Sequence, residues 1–208
     1  MTSTLAPHSA DVLLFDIGRV VLDIDFNRVV AVWAGHAGRE LTHPVGPLSP
    51  DDAWRRHERG EISDAEFFAS LRTSLGIGIT DDQFLDGWNA IFTGEMPGIA
   101  AALARAQGKL PLYAFSNTNP AHVAHFSRVY ADLLEHFREI FLSSTIGLRK
   151  PEAAAYDHVV KAIGVPASRI VFFDDNAENI EGARARGLTA VHVTSPDDVA
   201  RTLTALGL

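Results

Sequence analysis

The sequence predicts an α/β protein: a doubly wound, Rossmann-like parallel sheet with an inserted small helical cap domain. Three observations lead there. Short apolar runs at 12–15, 112–115, 170–173 and 189–193 alternate with helix-like segments through the second half of the chain. That rhythm indicates parallel strands with helices on both faces. Residues 27–91 instead carry helical patterns and no convincing buried strand. Finally, Asp16, Ser116, Asp174 and Asp175 each stand at the end of an apolar run, where an open parallel sheet assembles its site.

Each element has its own justification. Val12-Leu13-Leu14-Phe15 reads as the first strand, and Val20-Val21-Leu22 as a turn or short hairpin. Val29, Val30, Val32 and Trp33 give residues 27–37 a helical apolar face. Ser63 with Glu66, and Thr80 with Gln83, are capping boxes, in which the third helical residue reaches back to the cap. Phe67, Phe68 and Leu71 follow the first box; Phe84, Leu85, Trp88 and Ile91 follow the second. Past Pro97, helices are expected at 98–107, 120–137, 151–163 and 177–186, the last two closed by Gly164 and Gly187. Strands are expected at 112–115, 139–143, 170–173 and 189–193. Ser195 caps a final helix, with Pro196 in its first turn and Asp197 and Asp198 near the positive end of its dipole. The division that follows is a core of residues 1–22 and 96–208 and a cap of residues 23–95. The cap is placed to fold over the carboxyl edge as a lid.

At 208 residues the chain can bury one core plus a small appended domain. A formal charge of -8 argues against nucleic acid, whose binders are basic. No cysteine is present, so disulfides and thiolate metal sites are excluded. No run is long and apolar enough to span a bilayer. Residues 1–10 lack the basic start and apolar centre of a signal peptide and read as a frayed tail. A cytoplasmic protein acting on a small metabolite, with no membrane partner, is the expectation.

The polar signatures each admit two readings. Asp16 is a nucleophile or metal ligand, or a strand-end turn residue. Asp174 and Asp175 repel each other unless a divalent cation joins them, or they form an N-cap pair. Ser116-Asn117-Thr118 holds phosphate oxygens at a helix start, or only caps it. Lys150 sits before Pro151, at another helix start, where an ammonium is unfavourable without a nearby anion; otherwise it is a loop lysine. His57, Glu58 and Arg59, before Gly60, recognise substrate from the cap or form a solvated helix end. Trp33, Trp88, Phe67 and Phe68 read as cap core. His122, His125 and His136 show no metal-ligand pattern.

Taken together, the signatures resemble the four motifs of the haloacid dehalogenase-like hydrolase superfamily. They occur as Phe15-Asp16-Ile17-Gly18, Ser116-Asn117-Thr118, Arg149-Lys150-Pro151, and Phe173-Asp174-Asp175-Asn176 with Asn179. The run from Asp16 to Arg28, the segment His57-Glu58-Arg59-Gly60-Glu61-Ile62-Ser63 and Phe172 to Asn176 resemble the bacterial alpha-D-glucose-1-phosphatase branch. The resemblance implies an Mg²⁺-dependent phosphatase working through an aspartyl phosphate. Asp16 would attack, Ser116 and Asn117 would hold phosphate oxygens, and Lys150 would neutralise charge. Mg²⁺ would sit among Asp16, the Gly18 carbonyl and Asp175, with Asp174 close by. His57 and Arg59 would meet the substrate.

One position departs from the pattern. Most phosphatases of the superfamily place an acid two residues after the nucleophile; here Gly18 stands there. A positioned acid contributes roughly 10²–10⁴-fold. Its absence suits an acidic leaving group such as the anomeric oxygen of a sugar 1-phosphate, or a surrogate acid, for which His57 is the candidate. Two rivals share the motifs: a 2-haloacid dehalogenase, which needs no cation, and a binder of phospho-ligands without turnover.

Overall fold

Four consecutive apolar residues with both faces buried can only be a central strand. Val12–Phe15 (β1) takes that place, with every residue at 2% exposure or less. The computed structural model describes residues 5–41 and 52–208. The first four residues of the expected tail, and residues 42–51 of the expected cap, lie outside the described residues.

After β1 the chain forms β2 (Leu22–Ile24), α1 (Phe26–Ala37), α2 (Asp52–Glu58), α3 (Asp64–Leu75), α4 (Asp81–Asn89) and β3 (Phe92–Glu95). It continues through α5 (Ile99–Ala106), β4 (Leu112–Ser116), α6 (Pro120–Val129), α7 (Ala131–Leu134), β5 (Glu139–Leu142) and α8 (Ser143–Ile146). The last elements are α9 (Ala153–Ile163), β6 (Ile170–Asp174), α10 (Ala177–Ala185), β7 (Thr189–His192) and α11 (Asp197–Ala205). One sheet has the order β5-β4-β1-β6-β7, all parallel. Chain progression reverses beside β1, the topological switch point where such sheets bind ligands.

Alternation along the strands divides the core. Leu13, Phe15, Val171 and Phe173 pack with Leu103, Phe126 and Leu203 on one face. Leu14, Phe115 and Phe172 pack with Tyr156, Val159 and Ile180 on the other. A third cluster lies within the insert, built from Val29, Trp33, Phe67, Phe84 and Trp88. Both capping boxes form as expected, Ser63 with Glu66 and Thr80 with Gln83. Trp33, Trp88, Phe67 and Phe68 are core, as read from the sequence.

Several expectations need correction. Phe92–Glu95 is a strand, paired antiparallel with β2 as a two-stranded ribbon at the root of the insert. Its residues alternate between half-buried and exposed, so no apolar run marks it. The turn or short hairpin expected at Val20-Val21-Leu22 needs no correction: Val20 and Val21 are buried in a turn, and Leu22 opens β2. The expected helix 120–137 breaks at Tyr130. The α8 turn was not expected. Pro196, not Ser195, occupies the cap position of α11, while the Asp198 carboxylate accepts from the Thr194 and Ser195 amides.

Candidate active site

The strand register assembles the site. Phe15 pairs with Phe173, so Asp16 and Asp174 emerge side by side at the carboxyl edge. Ser116 ends β4 on the other side of β1 and is 4% exposed. Lys150 comes from the loop before α9, and its ammonium is fully enclosed at 1% exposure. Lys150 Nζ donates to Asp174 Oδ2 at 2.6 Å and to the Phe115 carbonyl at 2.9 Å, and lies 2.9 Å from Asp16 Oδ1.

The Lys150 backbone is clasped as well. Its amide donates to Asn117 Oδ1 and its carbonyl accepts from Asn117 Nδ2, both at 2.8 Å. The side chain of Asn117 therefore positions the lysine. Asp174 has no exposed surface and accepts from the Asn176 amide at 2.8 Å and from Asn179 Nδ2 at 3.0 Å. Asn179 is fixed in turn by Tyr156, whose hydroxyl donates to its carbonyl at 2.8 Å. Gly182 lets α10 approach this loop, because a Cβ there would stand 2.9 Å from the Pro151 carbonyl oxygen.

Two carboxylates flank the ammonium, and a third joins them in one cluster. Asp16, Asp174 and Asp175 each offer an oxygen, all within 4.8 Å of one another. Burial pushes the Asp16 carboxyl up to about 8; Lys150 opposes the rise, and Asp174 and Asp175 add to it. Asp175 is raised too, first by burial and then by Asp174. Lys150 is held above its usual value: burial would lower it, but Asp16 and Asp174 outweigh burial. The excess of negative charge is what a divalent cation with oxygen ligands would relieve. The residues present therefore fit such an ion.

The insert residues predicted to meet the substrate are engaged elsewhere. His57 is 1% exposed, stacked on Phe67 at 4.1 Å, with Nε2 2.7 Å from Asp64 Oδ1. It belongs to the insert's aromatic core, its ring stacked on Phe67 with Phe68 and Trp88 each 6.4 Å away. Arg59 pairs with Glu152, and Glu58 accepts from Arg149 Nε at 2.7 Å. These two pairs fasten α2 to the loop that carries Lys150. Gly60, at φ 68°, brings the chain against the Ser144 carbonyl, where no side chain fits.

A second joint links the insert to the Ser116 loop. Asn119 Oδ1 accepts from Trp88 Nε1 at 3.2 Å and from the His122 amide at 3.0 Å. His122 Nε2 lies 3.1 Å from the Trp88 carbonyl, and burial drives the ring's pKa down to about 3. This neutral, bonded histidine has no metal role. Sequence reasoning missed both joints, since Arg149, Glu152 and Asn119 carry no signal without their partners.

The sheet thus gathers an aspartate, a hydroxyl, a lysine and an acidic pair at its switch point. The chain belongs to the haloacid dehalogenase-like hydrolases, whose family description matches residues 10–187. It is 23% identical over 199 residues to the D-ribitol-5-phosphate phosphatase of Bacteroides thetaiotaomicron, covering 93% of this chain and 97% of that one. It is 26% identical over 151 residues to the sesquiterpene phosphatase astK of Aspergillus oryzae, covering 72% of this chain and 76% of that one. It is also 28% identical to the drimenol cyclase drtB of Aspergillus calidoustus, covering 88% of this chain but spanning only 35% of that protein. The fold superposes with TM-score 0.76 on a haloacid dehalogenase family enzyme of Bacteroides thetaiotaomicron crystallised with magnesium and inorganic phosphate. There the identity is 22%, covering 88% of this chain and 93% of that one. Among the described residues, no helix is long and apolar enough to cross a membrane.

Proposed function

We propose that this chain is an Mg²⁺-dependent phosphatase of a small phosphorylated sugar or polyol, working in the cytoplasm, with residues 23–95 as its cap. One observation carries the reading: the Lys150 ammonium lies between Asp16 and Asp174, at 2.9 and 2.6 Å, inside a cluster of three carboxylates. Only a reaction that brings phosphate and a cation to this edge uses every member of the set.

Asp16 is the nucleophile. Its Oδ1 is held by Lys150 and by the Ile17 amide at 2.7 Å, so Oδ2 attacks phosphorus. The bond from phosphorus to the leaving oxygen breaks, that oxygen takes a proton from water, and an aspartyl phosphate forms. Water then cleaves the acyl phosphate, returning the Asp16 carboxylate and releasing inorganic phosphate. Ser116 and the Asn117 amide hold non-bridging oxygens, and Lys150 balances their charge. A divalent cation held by Asp16, the Gly18 carbonyl and Asp175 would supply positive charge to the phosphate. Asp174 acts mainly by fixing Lys150.

With His57 enclosed in the insert, no side chain named from the sequence replaces the acid missing at Gly18. The barrier therefore follows leaving-group acidity, and sugar 1-phosphates are favoured over 6-phosphates. The test is a hydrolysis screen of both classes with Mg²⁺ and with EDTA, comparing kcat at saturating substrate. The expected result is a rate on glucose 1-phosphate about tenfold or more above glucose 6-phosphate, abolished by EDTA. Halide release from a 2-haloacid at full rate in EDTA would establish the dehalogenase instead.

A further inference from the structure

Beside the carboxylate cluster lies a cavity of about 380 Å³ whose lining includes Arg19, Asp23, Met96, Asp175 and Ser195. That volume is at the small end for ligand sites. Asp175 belongs both to the cavity and to the cluster. The cavity therefore opens on the Asp175 side of the cluster, where a carboxylate oxygen of Asp175 lies within 4.8 Å of one on Asp16.

Its walls carry a guanidinium, two carboxylates and hydroxyls, together with the apolar surfaces of Met96 and Pro196. A hydroxyl group needs both donors and acceptors, and the C–H face of a sugar or polyol needs apolar contact. Asp23 is oriented by Thr93, whose hydroxyl donates to Asp23 Oδ2 at 2.7 Å. An apolar leaving group would leave the hydrogen-bonding capacity of these side chains unused.

Arg19 is the telling residue. Its φ is 58°, a left-handed conformation that side chains other than glycine's and asparagine's rarely adopt. The turn that imposes it is closed by the Arg19 amide donating to the Leu22 carbonyl at 2.7 Å. Strained positions of this kind gather at ligand sites. The guanidinium remains 56% exposed, and among the described residues its one ion pair is with Asp175, at 3.8 Å. It has donors to offer. The insert's Glu58 and Arg59, by contrast, are already paired with Arg149 and Glu152.

We propose that Arg19, Asp23 and Ser195 form the leaving-group subsite, and that it accepts a polyhydroxylated group in preference to an apolar one. This rests on the phosphatase reading and deepens it. Specificity would then lie in the turn after β1, the ribbon and the β7–α11 loop rather than in the helical insert. Between the two kinds of phosphatase relative, it favours a polyol phosphate over a terpenoid phosphate.

The test compares the parent protein with Arg19→Gly and Ser195→Ala. Glycine suits the left-handed backbone, so Arg19→Gly should melt at the parent temperature or above, which separates lost recognition from misfolding. The readout is the ratio of kcat/KM for ribitol 5-phosphate to that for 4-nitrophenyl phosphate. It should fall at least tenfold in Arg19→Gly and less in Ser195→Ala. Equal losses on both substrates would overturn the subsite. A second measurement needs no turnover: calorimetric affinity for ribitol 5-phosphate relative to inorganic phosphate, in Asp16→Asn with and without Arg19→Gly. A ratio that Arg19→Gly leaves unchanged also overturns the subsite. If the parent hydrolyses no phosphomonoester yet this ratio falls tenfold, the subsite stands and the phosphatase reading fails.

Discussion

Lys150 at the sheet edge and His57 in the helical insert are equally buried, each 1% exposed, yet their surroundings are opposite. His57 has one acidic partner, Asp64, and an aromatic ring on its face. Its polar and apolar needs are both met within the insert. Lys150 faces two carboxylates, with Asp175 a third in the same cluster. The charges there do not cancel. A buried polar group becomes a candidate for chemistry when its neighbourhood has a surplus that only a ligand can balance. Burial alone marks both residues, and only the charge count separates them.

The strongest way to break this contrast is at the nucleophile. Asp16→Asn keeps shape and removes charge, so turnover should fall on the order of 10⁴-fold while the fold persists. Circular dichroism and single-turnover kinetics check this together. A comparable rate in the variant would mean that the aspartyl phosphate is not formed.

The acidic pair sharpens the contrast further. Asp174→Ala takes a partner from a buried ammonium and should cost about 3 kcal/mol of stability, read by urea unfolding. Asp175 is partly exposed and, among the described residues, forms an ion pair only with Arg19, at 3.8 Å, so Asp175→Ala should change stability by less than about 1 kcal/mol. Its effect should appear in Mg²⁺ titrations, where it loses more affinity than Asp174→Ala. The reverse ordering would exchange the roles assigned to the two acids.

The last test is at the joint between insert and core. Burial holds His122 near 3 in the folded protein, against an ordinary value of 6.5. Between those values the unfolded chain binds the extra proton. The joint's stability is therefore complete above pH 6.5 and is lost as pH falls towards 3. The slope is at most about 1.4 kcal/mol per pH unit. Asp16 acts in the opposite direction, because its raised pKa weakens the metal-free fold as pH climbs towards 8. Unfolding should accordingly be compared in the Asp16→Asn background with and without His122→Gln. The second substitution should flatten the acid limb, and an unchanged slope would show that His122 is not held neutral.

How much of this was legible in the sequence depends on the range of the interactions involved. β1, β4 and β6 announce themselves as apolar runs, because both faces of a central strand are buried. The two capping boxes depend on residues three apart, and both formed. Asp16, Ser116, Lys150 and the Asp174-Asp175 pair are each weak signals, but their order along an alternating chain resembles one superfamily and no rearrangement of that order would. The ribbon strand Phe92–Glu95 was invisible because its partner lies about seventy residues away, and its own pattern is half exposed. The fate of His57 and Arg59 was undecidable for the same reason. A histidine before a glycine looks the same whether it faces a cleft or an aromatic ring, and an arginine the same whether it meets substrate or Glu152. By itself the sequence determined the five-stranded sheet, most of its helices and the candidate site residues, because these follow from local periodicity and from residue chemistry. The tertiary structure alone decided which charges are already paired, that Asn117 clasps the lysine loop, and that Arg19 opens onto a cavity. Those facts are distances between residues far apart in the chain, and no local pattern encodes a distance.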